Sequence, residues 1–211
     1  MAATEHPLKD LAPFLPEGSF DRVVGFLHFY KVHLTIARER KSVLGDYRHA
    51  RHGTNHRISV NGNLNPYEFL ITLLHELAHL LTFEQYQHRV ESHGKEWKGI
   101  YSSLLKEFVE ANIFPADIEA ALRTSMRSPA ATASGETELL TILRKYNKEH
   151  KDGYLMLSAL QEGALFMTEK GKVFRKGELR RKRYTCVEVK TGLKYTVSAI
   201  MEVKEVRVNQ S

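Results

Sequence analysis

Residues 65–87, NPYEFLITLLHELAHLLTFEQYQ, decide the fold of this chain. Asn65 can cap a helix, Pro66 suits its first position, and Glu68 falls where a capping-box carboxylate reaches back to the cap amide. Leucines recur at steps of three and four residues, which predicts a helix with one broad buried stripe. The expected inward residues are Leu70, Leu73, Leu74, Leu77, Leu80 and Leu81.

The same helix contains an HExxH motif made of His75, Glu76 and His79. Histidines four residues apart share one helical face and can grip a metal ion, and the glutamate beside them is placed to act on a metal-bound water. The alternative is a pair of core histidines satisfied by hydrogen bonds. We favour the metal site, because unpaired His and Glu side chains are costly to bury between leucines.

A catalytic zinc site needs a third protein ligand and an open position for water. The longer motif HExxHxxGxxH is ruled out, because Thr82 and Gln85 stand where it requires Gly and His. His93, in SHGKEWK, is the favoured third ligand: a loop long enough to reverse the chain precedes it, and Gly94 permits a tight turn. The alternatives that stay open are His88 in the same loop and Glu107 or Glu110 in the next helix.

These residues predict a hydrolytic chemistry. Three neutral imidazoles leave a zinc ion its positive charge, so bound water becomes acidic near neutral pH and a carbonyl can be polarised. Glu76 would act as the general base, and amide hydrolysis would proceed without a covalent intermediate. An oxyanion donor is also expected, and the sequence does not choose among Tyr47, Tyr101 and the arginines.

The first 127 residues mix helices with a small sheet. Apolar alternation predicts three short strands before the central helix, with a hairpin-like return between the first two. The predicted strands are 32–37, 42–50 and 56–61, and the other predicted helices are 19–31, about 97–109, 116–125 and 136–150. A small-residue stretch, SPAATASG at 128–135, indicates a boundary.

The remainder switches to short apolar runs punctuated by glycine, which predicts an antiparallel β module. Charge changes at the same place. Residues 139–211 hold 16 Lys and Arg against 8 Asp and Glu, whereas residues 1–138 hold 15 against 17. This asymmetry favours binding to a polyanion, with nucleic acid first, although a solubilising surface fits the same counts.

Basic residues of the β module cluster around a turn predicted at Gly177, with Phe174 and Tyr184 interleaved. Such side chains can neutralise phosphates while an aromatic ring stacks on an unpaired base, so single-stranded DNA is the favoured partner. The alternative is a solvated hairpin, and nothing suggests base-specific readout. The candidate nucleic-acid-binding residues are Arg175, Lys176, Arg180, Arg181, Lys182 and Arg183.

Composition excludes several classes of protein. Cys186 is the only cysteine, which rules out an intramolecular disulfide and a cysteine-rich zinc module. No apolar run reaches the ~18 residues of a membrane span, and the first residues lack the blocks of a signal peptide. We therefore expect a cytoplasmic monomer that does not bind membranes.

The segments HELAH and RVESHGKEWK, with LGDYR and HRISVN before them, resemble the SprT-like family over roughly residues 20–127. The resemblance implies a zinc-dependent, protease-like domain with ligands His75, His79 and His93 and catalytic Glu76. Relatives of this kind cleave proteins attached to DNA, which connects the family with DNA repair. Many of them continue into a four-cysteine zinc ribbon, whereas RKRYTCVEVKTGLKY keeps only Cys186, so a single zinc is expected.

The expected fold class is α+β. A zincin-like metalloprotease domain of helices and a three-stranded sheet occupies 1–127, a linker with a bridging helix 128–152, and a basic β module 153–211. The leading hypothesis is a zinc metalloendopeptidase that acts on nucleic-acid-associated proteins. The rival hypothesis is a nucleic-acid-associated regulatory or binding protein whose zinc site is structural or weakly active.

Overall fold

A computed structural model describes residues 8–40, 43–51, 53–127, 137–147, 153–180 and 183–206. The chain divides into two compact units, Met1–Asn147 and Lys148–Ser211, called unit 1 and unit 2 below. Unit 1 combines helices with a three-stranded sheet, and unit 2 is a six-stranded antiparallel sheet. The α+β prediction is therefore confirmed. The predicted boundary at 128–135 lies outside the described residues.

Unit 1 contains five α-helices among its described residues. They are α1 (Phe20–Phe29), α2 (Pro66–Tyr86), α3 (Lys95–Glu110), α4 (Ala116–Ser125) and α5 (Thr137–Leu143), with 3₁₀ helices at Lys9–Phe14 and Arg144–Tyr146. None of the described helices combines the length and apolar character that crossing a bilayer requires.

Helix α2 forms the centre of unit 1. Asn65 caps it by accepting a hydrogen bond from the backbone N–H of Glu68 at 3.0 Å. The Asn65 amide also donates to the carbonyl of Leu143 at 2.9 Å, which ties the end of α5 to the start of α2. Most side chains from Glu68 to Ala78 are buried, more than the predicted stripe, because α2 packs against the sheet and against α3.

The sheet of unit 1 comprises β1 (His33–Ala37), β2 (Gly45–Arg48) and β3 (Arg57–Asn61) in the order β1-β3-β2. β1 runs parallel to β3, and β2 runs antiparallel to it. The predicted hairpin between the first two strands is wrong. β3 takes the centre because Ile58 and Val60 are the most deeply buried apolar residues of the sheet.

Unit 2 has strands β4 (Tyr154–Met156), β5 (Leu165–Met167), β6 (Val173–Arg180), β7 (Arg183–Glu188), β8 (Lys194–Ser198) and β9 (Glu202–Val206). Their order is β4-β9-β5-β6-β7-β8. A 3₁₀ helix, Leu157–Ala159, follows β4. The core consists of Leu157, Leu160, Phe166, Phe174, Cys186 and Val203.

The turn predicted at Gly177 is wrong, because Gly177 lies inside β6. The β6–β7 pairing shifts register between Lys176 and Leu179, and Arg180 pairs with Arg183. A Cβ at position 177 would lie 2.5 Å from the carbonyl oxygen of Thr185. The glycine therefore permits a close backbone approach at a β-bulge.

Candidate metal centre

Helix α2 and the loop before α3 bring His75, His79 and His93 together. One ring nitrogen of each histidine lies within 4.8 Å of the corresponding atoms of the other two. The Nε2 atoms of His75 and His93 are 3.3 Å apart. Two nitrogens bound to one tetrahedral zinc at about 2.0–2.1 Å lie about 3.4 Å apart, so this separation fits a shared zinc ion.

The protonation of the rings also fits a metal. Burial, followed by the neighbouring His79 and His93, lowers the pKa of His75 to about 3. Burial and His93 lower the pKa of His79 to about 4, and burial lowers the pKa of His93. The three imidazoles are therefore neutral at pH 7, the form in which histidine binds metals.

Chain reversal after α2 positions His93. Gln87 ends α2 with a left-handed φ of 56°, unusual for a residue other than glycine. Gly94 caps α3 with a φ of −70°, so it does not supply a left-handed turn. A Cβ at Gly94 would instead lie 3.2 Å from the Cβ of Glu91. The glycine thus lets the loop close tightly against the start of α3.

Trp97 forms the floor of the three-histidine cluster. Its ring centroid lies 4.7 Å from that of His75, 5.3 Å from that of His79 and 4.6 Å from that of His93. Tyr101 stacks on the indole at 4.9 Å. Sequence periodicity assigned Trp97 only to the core. Its place four residues after His93, on the first turn of α3, was the available signal for a role at the site.

Glu76 is 6 % exposed and lies between α2 and β2. A Cβ at Gly45 would lie 2.5 Å from Oε1 of Glu76, so only glycine leaves room for the carboxyl group. Burial and the nearby Asp46 raise the pKa of Glu76 to about 8, and Arg40 opposes that rise. Sequence reasoning did not identify Gly45 as part of the site, although it lies in the LGDYR segment.

Tyr47, one candidate oxyanion donor, lies beside His79 with the two rings nearly parallel at a centroid distance of 6.4 Å. Its hydroxyl is 2.9 Å from Nδ1 of His56. The backbone N–H of Ala50 also points to that nitrogen at 3.4 Å, so Nδ1 is the acceptor and Tyr47 donates to it. Nε2 of His56 then faces Glu84 at 3.3 Å.

Tyr101, the other tyrosine candidate, is buried, and the centroid of its ring lies 5.4 Å from that of His75.

The alternative third ligands lie elsewhere. The ring of His88 is 5.0 Å from His49 and 5.2 Å from Phe83. Glu107 pairs with Arg22 at 3.1 Å, and Glu110 pairs with Lys106 at 3.6 Å. Among the described residues, the three-histidine cluster is the one group with metal-ligand geometry.

The candidate nucleic-acid-binding residues of unit 2 do not share one environment. Lys176 is buried: its ammonium group donates to the carbonyls of Leu160 and Ser158 and lies 3.9 Å from the centre of the Tyr184 ring. Lys176 is therefore withdrawn from the candidate set, because its charge faces the interior. Arg175, Arg180 and Arg183 are exposed, and Arg181 and Lys182 lie outside the described residues.

Unit 1 has the features of a metalloprotease-like domain. Helix α2 carries HELAH, the loop before α3 brings His93 to the two histidines of that motif, and a small mixed sheet packs beside the helix. Residues 20–118 match the model of the SprT-like family. Protein SprT of Vibrio parahaemolyticus is 49 % identical over 41 residues. That match covers 19 % of this chain and 24 % of the relative, so the chain spans about a quarter of the relative's length. No solved structure matches the chain.

Proposed function

We propose that this protein is a zinc-dependent metallopeptidase that hydrolyses proteins associated with nucleic acid. One observation carries the proposal: three neutral imidazoles converge on one point, and a buried carboxylate follows the first of them on the same helix. This arrangement has the ligands and the base that amide hydrolysis needs. The match of residues 20–118 to the SprT-like family model supports it.

Each residue of the site has a distinct role in this mechanism. His75, His79 and His93 would hold the metal, and Trp97 packs against all three rings and restricts their orientation. The chemistry that a zinc ion would supply there is an acidified water molecule and a polarised carbonyl group. A cation bound beside Glu76 would oppose the rise in its pKa and favour its ionised form. The carboxylate would then accept a proton from the attacking water and return it to the nitrogen of the departing amine. Gly45 keeps the space in which that carboxylate lies.

The proposed contact with nucleic acid is assigned to unit 2. Residues 148–211 contain 14 Lys and Arg against 8 Asp and Glu, whereas residues 1–147 contain 17 of each. Arg180 and Arg183 lie directly opposite each other across β6 and β7, an arrangement of like charges that costs stability. Glu178 lies 2.8 Å from Arg180 and compensates part of this charge, and a second anion would compensate the rest. A phosphate backbone would supply that anion, and the exposed Arg175 lies on the same strand as Arg180.

The testing experiment compares zinc-loaded wild type with Glu76→Gln on a protein substrate attached to single-stranded DNA. The variant keeps the shape of the side chain and loses the base, so cleavage should fall by about 10²–10⁴ while zinc content is unchanged. Glu110→Gln, an exposed change on α3, is the matched control and should cleave like wild type. Zinc binding without cleavage by wild type would favour the regulatory protein instead.

A further inference from the structure

Unit 1 contains a groove that none of the three histidines lines. It lies where α1, the end of α2 and the first half of α3 meet, and its volume is about 750 Å³. About half of its lining residues are aromatic or aliphatic, namely Phe26, Tyr30, Leu81, Tyr86, Ile100 and Leu104. The proposed mechanism uses no residue of this groove.

The groove is acidic. Glu84, Glu96 and Glu107 line it, against the single cation Lys95. This local charge is opposite in sign to the formal charge of +6 on the whole chain. Glu107 already pairs with Arg22 at 3.1 Å, and Glu96 lies 3.8 Å from Lys95. Glu84 is 44 % exposed and faces Nε2 of His56, so its carboxylate is the one most accessible to an incoming cation. Aromatic faces beside carboxylates suit a lysine or arginine side chain, whose charge and stem they contact together.

Gly99 leaves part of the groove lining without a side chain. It lies within α3 and is exposed, and no described atom lies within 4 Å of the position its Cβ would take. A glycine inside a helix is destabilising relative to alanine, and here packing does not require it. The absence of a side chain at position 99 would be explained if another polypeptide chain approaches the backbone of α3 closely here.

We propose that this groove binds a segment of the protein substrate that carries apolar side chains flanked by lysine or arginine, away from the bond that is cut. The identity of the occupant rests on the proposed function, since proteins that sit on nucleic acid present lysine- and arginine-rich surfaces. On this proposal two surfaces of opposite charge bind two parts of the substrate. Basic unit 2 contacts the nucleic acid, and the acidic groove contacts the attached protein.

The groove also has a physical connection to the metal centre. Glu84 lines the groove, and its Oε1 lies 3.3 Å from Nε2 of His56. His56 accepts from the hydroxyl of Tyr47, whose ring lies parallel to that of His79. A basic side chain that engages Glu84 therefore touches one end of a series of side-chain contacts that runs through His56 and Tyr47 to the ring of His79.

The test uses the full-length chain carrying Glu76→Gln, and a fluorescein-labelled peptide of leucine and lysine, about ten residues long, as the probe. Gly99→Trp adds a bulky side chain to the groove lining and should raise the Kd by about tenfold or more. Gly25→Trp is the matched control, because Gly25 is an exposed glycine of α1 with no described atom within 4 Å of its Cβ position and it does not line the groove. This control should bind like the parent chain.

A charge variant tests the same site without adding bulk. The double variant Glu96→Gln and Glu107→Gln should weaken peptide binding, as Gly99→Trp does.

In the active enzyme, Gly99→Trp should raise KM for a basic protein substrate and leave kcat unchanged. The reason is that the groove would bind the substrate equally well in the ground state and in the transition state. Equal peptide binding by Gly99→Trp and the parent, or no binding by the parent, would overturn the proposal. Peptide binding in the groove without any cleavage by wild type would leave the groove standing and refute the proposed function.

Discussion

Gly45 on β2 lies directly against Glu76 on α2, so that a Cβ at position 45 would fall 2.5 Å from Oε1 and 2.8 Å from Cγ of the glutamate. The register of the sheet explains this contact. Gly45 pairs with Val60 and Tyr47 pairs with Ile58, so these four residues share the face of the sheet that covers α2. A short edge strand thereby contacts both the proposed base and the ligand His79.

Gly45→Ala should displace the Glu76 carboxyl group and lower kcat on a protein substrate. The added methyl group also overpacks the region, so the free energy of unfolding should fall by ~1–3 kcal/mol. Zinc content should stay at the wild-type value, because the three histidines are not contacted. Gly99→Ala is the control and should stabilise the chain by ~0.5–1 kcal/mol, since that position is open. Wild-type kcat and stability in Gly45→Ala would refute the role given to this glycine.

Lys176→Met should destabilise unit 2. The ammonium group of Lys176 donates to two backbone carbonyls, and its loss leaves buried acceptors unpaired at a cost of ~1–3 kcal/mol. Arg175→Met, next to it on the exposed side of the strand, should change stability by less than ~0.5 kcal/mol. Urea unfolding measures both. Equal stability of the two variants would mean that the buried ammonium is not part of the core.

Replacing Arg175, Arg180 and Arg183 by Ser should weaken binding to single-stranded DNA and flatten its salt dependence. Each phosphate contact contributes a slope of about −0.7 in log affinity against log salt. Sequence preference should hardly change, because phosphate contacts do not read bases. Folded Lys176→Met provides the comparison and should keep the wild-type slope. An unchanged slope in the triple variant would remove the nucleic-acid role from this hairpin.

The thiol of Cys186 should react slowly in the native protein. Burial raises its pKa, so less reactive thiolate is present at pH 8 than in an exposed cysteine. A pKa raised in the folded state gives stability that is complete below the ordinary thiol pKa of about 8.5 and is lost as pH rises through the folded value. Ellman's reagent should therefore react at once in urea and slowly without it. Immediate reaction of the native chain would show that the thiol is accessible.

Local patterns sufficed for α2, since Asn65 and the leucine spacing determine where it begins and which side is buried. They also led to the prediction of His75, His79 and His93 as ligands, and the structure brings these three histidines together. The role of Glu76 as the base stays a prediction. The order β1-β3-β2 was not predictable in this way, because alternation does not tell a strand which partner it will pair with. The same limit applies to Gly45 and Trp97, whose roles arise from contacts between separate elements.

Lys176 shows a different limit of sequence reasoning. Counts of charge and a nearby glycine placed it on an exposed turn. In the structure Gly177 instead belongs to a bulge within β6, and the preceding side chain points into the core. The direction of a side chain on a strand depends on register, and a single bulge alters the register. Charge counts alone therefore placed Lys176 on the basic surface, although its side chain is buried.

The metal content of purified wild type and His93→Ala tests the central claim most directly. Elemental analysis should find about one zinc per wild-type chain and a large loss in His93→Ala, because two histidines on one helix hold a zinc ion less tightly than three converging ligands. His88→Ala, which removes the other histidine of the same loop, should keep the zinc. Full zinc retention in His93→Ala, or two zinc ions per wild-type chain, would contradict this account of the site.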